Sequence, residues 1–250
     1  MTAGATDLVQ RSLRDLWRRA PATSVLIALN VLAYLVESVR PNLIVGRFGT
    51  VGEGYLETDG GYHLVGIAHG QWYRLITGTF LHSPLSSMGG LGILHLLLNM
   101  SWLWILGPRL EGRLGRGRYL ALYFLSALSG SVLSYWLAPH VNAIGASGAV
   151  YGLIAGFFVL SRRMRLDSAY AKQVAIFAVI WLVASATETA WQAHLGGALA
   201  GAVLAYFYAP VPGAHRLGRI AATAGVLALL AAAVLLETHA LTGSWWAAVT

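Results

Sequence analysis

The chain reads as an all-α protein that crosses a membrane several times, and three observations say so. Of its 250 residues, 57% are hydrophobic and only 11% are charged, whereas a soluble domain carries about a quarter charged residues. Seven apolar runs recur as candidate spanning helices. The basic residues collect on alternate connections between those runs.

A spanning helix needs roughly 20 apolar residues, with about 17 as a lower limit. Residues 22–39 form the first such run, 91–106 the second and 119–138 the third. Residues 146–161 form the fourth, 172–186 a short fifth, 191–209 the sixth and 219–236 the seventh. Arg11, Arg14, Arg18 and Arg19 precede the first run. Arg109, Arg113, Arg116 and Arg118 follow the second, and Arg162, Arg163, Arg165 and Lys172 follow the fourth. Arg216 and Arg219 follow the sixth. Fourteen of the seventeen basic residues therefore lie on one side, which the positive-inside rule makes cytoplasmic. The N-terminus is then expected inside and the C-terminus outside. The net charge of +7 is read as this topology, not as nucleic-acid binding.

The chain divides into a cytoplasmic segment at 1–21, a six-helix core at 22–209, and a connection, seventh helix and short outer tail at 210–250. The core carries one long outer connection, 40–90, rich in glycine and aromatic residues (Tyr55, Tyr62, Trp72, Tyr73, Phe80). Tyrosine and tryptophan favour the headgroup level, so part of this loop is expected in the interface. No cysteine is present, which excludes disulfide and thiol chemistry. No cleavable signal is evident, and a prokaryotic plasma membrane is the expected location.

With this topology the second, fourth and sixth runs all enter from outside, and their outer ends hold polar residues. His95 lies one turn into the second run, with Asn99 at i+4 on the same face. Ser147 opens the fourth and His194 lies one turn into the sixth. Each residue alone has a plainer reading: Ser147 as a small packing residue, the histidines as interfacial groups, Asn99 as a bond between helices. Their joint occurrence at one depth on three helices is what those readings leave unexplained, and ionisable residues within spans mark function.

Gly148, Gly152 and Gly156 line one face of the fourth run, and Gly197 and Gly201 one face of the sixth. Small faces let backbones approach closely, as a Ser147–His194 hydrogen bond would require. A serine hydroxyl needs a base to take its proton, and histidine is the natural one. Tyr151, one turn below Ser147, is placed to pack on the imidazole. No carboxylate is read at this depth, so a dyad is expected rather than a triad. The Ser147 backbone N–H, at a helix start, and the His95 and Asn99 side chains are candidate donors to an oxyanion. The histidines lack a metal-binding pattern, and neither metal nor organic cofactor is expected.

At these residues the sequence resembles the rhomboid family of intramembrane serine proteases. The resemblance rests on His95-Leu-Leu-Leu-Asn99-Met, Gly145-Ala-Ser147-Gly-Ala-Val-Tyr151-Gly, and Ala193-His194-Leu-Gly-Gly197-Ala-Leu-Ala-Gly201, in the family's order. It implies a six-helix core with a seventh helix appended, and cleavage of peptide bonds within or near transmembrane segments of membrane proteins. By position it makes Ser147 the nucleophile and His194 the base, with His95, Asn99 and the Ser147 backbone holding the oxyanion. Tyr151, Gly145, Gly148, Gly197 and Gly201 support them. Glu111 and Arg113 fall in the family's charged stretch after the second span, and Arg74 in its tryptophan-arginine loop motif, with Tyr73 standing where the tryptophan is usual. The alternatives are a catalytically silent relative that binds membrane proteins as an adaptor or chaperone, and a transporter using the buried polar residues as a pathway.

Overall fold

The computed structural model describes residues 17–58, 61–84, 92–166, 168–184, 191–213 and 215–243. All seven apolar runs form helices. In chain order the elements are α1 (Pro21–Val39), α2 (Pro41–Phe48), β1 (Gly54–Thr58), β2 (Gly61–Val65), α3 (Arg74–Thr77), α4 (Ile93–Leu114), α5 (Arg116–Leu137), α6 (Ser147–Arg163), α7 (Ser168–Ala184), α8 (Trp191–Tyr208) and α9 (Arg216–Thr242). Helices α1, α4, α5 and α9 are long and apolar enough to cross a membrane. Helix α6 has only 17 residues. At 1.5 Å per residue it is about 25 Å long, less than the roughly 30 Å hydrocarbon layer.

Most helix ends fall within a few residues of the apolar runs, with α4 and α9 running further. Helix α4 continues two turns past residue 106 because its last turns are buried. Leu106, Leu110 and Leu114 are in the core, and Glu111 is only 4% exposed. That carboxylate is satisfied by the start of α1. Its Oε1 accepts from the Ala22 N–H at 3.0 Å, and its Oε2 accepts from the Thr23 N–H and hydroxyl at 2.9 Å each. The first N–H groups of a helix have no intrahelical partner, and a negative charge there also meets the positive end of the helix dipole. Glu111 thus locks two helices together, with Arg116 3.9 Å from its Oε1. Arg113 instead donates to the Arg109 carbonyl and stays partly exposed.

At the centre, α5, α6 and α8 pack backbone to backbone. A Cβ on Gly197 would stand 1.9 Å from the Gly148 carbonyl oxygen, and one on Gly201 2.3 Å from that of Gly152. On the α5 side, a Cβ on Gly130 would meet the Ala193 carbonyl oxygen at 2.6 Å. Without these glycines the three helices could not close to this distance. Helix α9 lies outside this core, tied by the Tyr135–Thr238 and Tyr208–Thr223 hydroxyl pairs at 3.0 and 2.7 Å.

The long connection is more ordered than its composition suggests. Strands β1 and β2 pair antiparallel, Gly54 opposite Val65 and Thr58 opposite Gly61. The sequence reading contained no strand, because five residues of mixed character carry little period-two signal. Beside the hairpin, the Arg74 guanidinium is buried and bonds the Gln71 side chain at 2.6 Å and the Gly49 and Gly46 carbonyls at 2.9 Å each. It gathers the last carbonyls of α2, where a cation is favoured. Arg11, Arg14 and the tail beyond 243 lie outside the described residues.

Candidate active site

The loop into α6 is shaped before Ser147 is reached. Thr50 and Ala143 exchange backbone hydrogen bonds at 2.9 and 2.8 Å, and the Gly145 N–H donates to the Gly78 carbonyl at 2.9 Å. The long connection therefore holds the 138–146 loop from one side. Gly145 has φ +124°, which L side chains rarely adopt. It has no room for one either, since a Cβ would sit 2.8 Å from His95 Nε2. Helix α6 starts at the next turn, with Ser147 as its first residue.

Ser147 Oγ lies 2.8 Å from His194 Nε2. His194 comes from the first turn of α8 and is only 4% exposed. Its ring stacks on Tyr151, with centroids 4.4 Å apart and planes inclined by 14°. The Tyr151 hydroxyl donates to the Ala178 carbonyl of α7 at 3.1 Å, which fixes the ring that fixes the imidazole. His194 Nδ1 is buried with no hydrogen-bond partner among the described residues. The close approach of Gly148, next to Ser147, and Gly197, one turn below His194, brings α6 and α8 near enough for the serine–histidine contact.

His95 packs its Nε2 edge against Gly145, two residues before Ser147. The Asn99 amide donates to the His95 carbonyl at 2.8 Å, spending one of its two N–H groups there. The Ser147 N–H, at the helix start, has no intrahelical acceptor. The arrangement can deprotonate a hydroxyl through an adjacent imidazole and can present N–H groups to a developing negative charge.

Three residues here escaped the sequence reading. Glu37, near the C-terminal end of α1, is fully buried, and its Oε2 accepts from the His82 N–H at 2.9 Å. The His82 ring lies 5.1 Å from that of His95, and the Ser83 N–H reaches His95 Nδ1 at 3.1 Å. The expectation that no acidic residue sits at this depth is therefore corrected: Glu37 does, although it serves the backbone of His82 and not His194. An acid inside an apolar run was the available signal, since such residues are costly without a partner. Its partner, 45 residues away, could not be read from the run.

Comparison with known proteins bears on this geometry. The Rhomboid domain model matches residues 69–211, more than half of the chain. The Bacillus subtilis rhomboid protein YdcA is 31% identical over 196 residues, covering 76% of this chain and 89% of YdcA. Rhomboid-like protease 3 of Toxoplasma gondii is 34% identical over 145 residues, 55% of this chain and 52% of that protein. Rhomboid protease GlpG of Salmonella paratyphi A is 32% identical over 141 residues, 54% of this chain and 48% of GlpG. The chain thus spans about half the length of the last two and most of the first. It is an integral, multi-pass membrane protein, and it belongs to the rhomboid family.

Proposed function

We propose that this protein is an intramembrane serine endopeptidase that cleaves transmembrane segments of membrane proteins through a Ser147–His194 dyad. The observation that carries the reading is the 2.8 Å contact between Ser147 Oγ and His194 Nε2, stacked on Tyr151. His194 takes the hydroxyl proton as Ser147 attacks the scissile carbonyl, then delivers it to the leaving amine. The acyl-enzyme is released by water, activated by the same imidazole. The oxyanion of each tetrahedral intermediate lies between the Ser147 N–H, His95 and the second N–H of Asn99. His194 has no carboxylate partner among the described residues, so stacking on Tyr151 does the orienting. A substrate helix must unwind locally to expose a peptide bond, which favours small or helix-breaking residues at the cleavage site. The N-terminus is assigned to the cytoplasm and the site to the outer half of a prokaryotic plasma membrane, on the arginine distribution.

The test uses a fluorophosphonate probe and a transmembrane substrate. Ser147→Ala abolishes cleavage while leaving the folded protein, and His194→Ala abolishes probe labelling of Ser147. Cleavage undiminished in Ser147→Ala, or labelling that persists without His194, sinks the dyad.

A further inference from the structure

Ser83, in the connection between α3 and α4, sets the chemistry of His95. The Ser83 backbone N–H points at His95 Nδ1 from 3.1 Å, and the Ser83 hydroxyl is at the same distance. A backbone N–H can only donate, so Nδ1 must be the bare, accepting nitrogen. A neutral His95 then carries its proton on Nε2. That edge faces Gly145, where an added Cβ would lie 2.8 Å from His95 Nε2 and 3.7 Å from Ser147 Oγ. The Nε2 edge therefore packs closely on Gly145, on the side of that glycine that also faces the nucleophile. An Nε2–H there is placed to reach the oxygen of a carbonyl attacked by Ser147.

Ser83 does not hold this position alone. The preceding residue, His82, is fully buried and donates its N–H to Glu37 Oε2 at 2.9 Å. Its own Nδ1 lies 3.2 Å from the Phe80 carbonyl, and its ring packs on His95. Burying a carboxylate is costly unless it is hydrogen-bonded, so Glu37 is an expensive way to hold a loop. Its placement is explained if the position of residues 82 and 83 matters to within a hydrogen bond.

We infer that Ser83, anchored through His82 to Glu37, is a positioning residue that fixes the tautomer of His95 and so aims its Nε2–H at the oxyanion. The inference rests on the proposed proteolytic reading for its purpose, though not for its geometry.

The experiment uses the full chain in bilayers with 15N-labelled histidine, since a bare and a protonated ring nitrogen give distinct signals. The His95 signals are those missing from His95→Gln. They show a bare Nδ1 and a protonated Nε2 in the unaltered protein; an Nδ1–H tautomer overturns the inference whatever the activity. Cleavage supplies the second arm. The amide of His95→Gln reaches the Nε2 position, whereas that of His95→Asn ends near Nδ1. His95→Asn loses about a hundredfold in kcat, and His95→Gln loses roughly tenfold less than that. Equal losses, or a larger loss in His95→Gln, overturn the inference. Ser83→Pro removes the N–H, mixes the His95 tautomers and lowers kcat with little change in KM; a mixed spectrum with unchanged kcat overturns it. If Ser83→Pro fails to fold, the spectrum and the two His95 variants decide. A protein that gives the expected spectrum but neither cleaves nor labels at Ser147 defeats the proteolytic reading and leaves the tautomer assignment standing.

Discussion

Helix α6 has two neighbours that it meets in opposite ways. Toward α8 it presents Gly148 and Gly152, and the two backbones touch, with no room for a methyl group on Gly197 or Gly201. Toward α7 the contact runs through side chains. Ala171, Val174 and Ala178 of α7 are buried, whereas Ile176, Val179, Ile180 and Val183 are 59–71% exposed. A polar bond crosses that boundary from the Tyr151 hydroxyl to the Ala178 carbonyl. Inside a bilayer no hydrophobic force drives helices together, so packing distance and hydrogen bonds decide how firmly they hold. The α6–α8 seam is therefore the rigid one, and it carries Ser147 and His194. The α6–α7 boundary is held through side chains instead, with Phe157 edge-on to Tyr170 at 6.0 Å.

The largest expected effect comes from breaking the tight seam. In Gly197→Ala the new methyl would need the Gly148 carbonyl to move by more than an ångström from its 1.9 Å position. Such overpacking costs about 3 kcal/mol and pulls Ser147 from His194. Thermal unfolding in detergent and fluorophosphonate labelling should both show it. Gly148→Ala faces the same seam more gently, since its methyl would lie 3.2 Å from the Ala193 carbonyl oxygen. Its cost is about 1 kcal/mol, and a larger loss than in Gly197→Ala would refute this account of the seam.

A smaller effect is expected at the loose boundary. Tyr151→Phe keeps the ring on His194 but deletes the bond to Ala178, worth about 1 kcal/mol. Amide exchange should quicken in α7 and not in α8, and equal quickening in both would show that the two boundaries are not distinct. The smallest effect belongs to Val183→Ala, on the outward face of α7 at 71% exposure. Its unfolding midpoint should shift by less than about 0.5 kcal/mol equivalent.

How far the site was legible follows from the range of each signal. Ser147, His194, His95 and Asn99 stood out because polar residues in apolar runs are conspicuous and the arginines set all three runs in register. The glycines stood out because their spacing repeats on one helix face. Glu111 was visible as an acid beyond the second run, but its role in capping α1 was not, since Ala22 and Thr23 are almost ninety residues away. Glu37, His82 and Ser83 were invisible as a unit for the same reason. The hairpin was missed because its strands are too short to show a period.

The sequence by itself determined what one-dimensional pattern can carry: the seven helices, their alternating charge, the faces lined with glycine, and which residues were costly where they stood. Length, hydropathy and spacing are local properties, and the bilayer reads them segment by segment. Only the tertiary structure decided which costly groups met. It set Ser147 Oγ 2.8 Å from His194 Nε2, gave Tyr151 a ring to stack on, put Glu111 at the start of α1, and turned Ser83 toward His95. Hydrogen bonds depend on distances of a few ångströms between residues far apart in the chain, and those distances exist only once the glycine seams have closed.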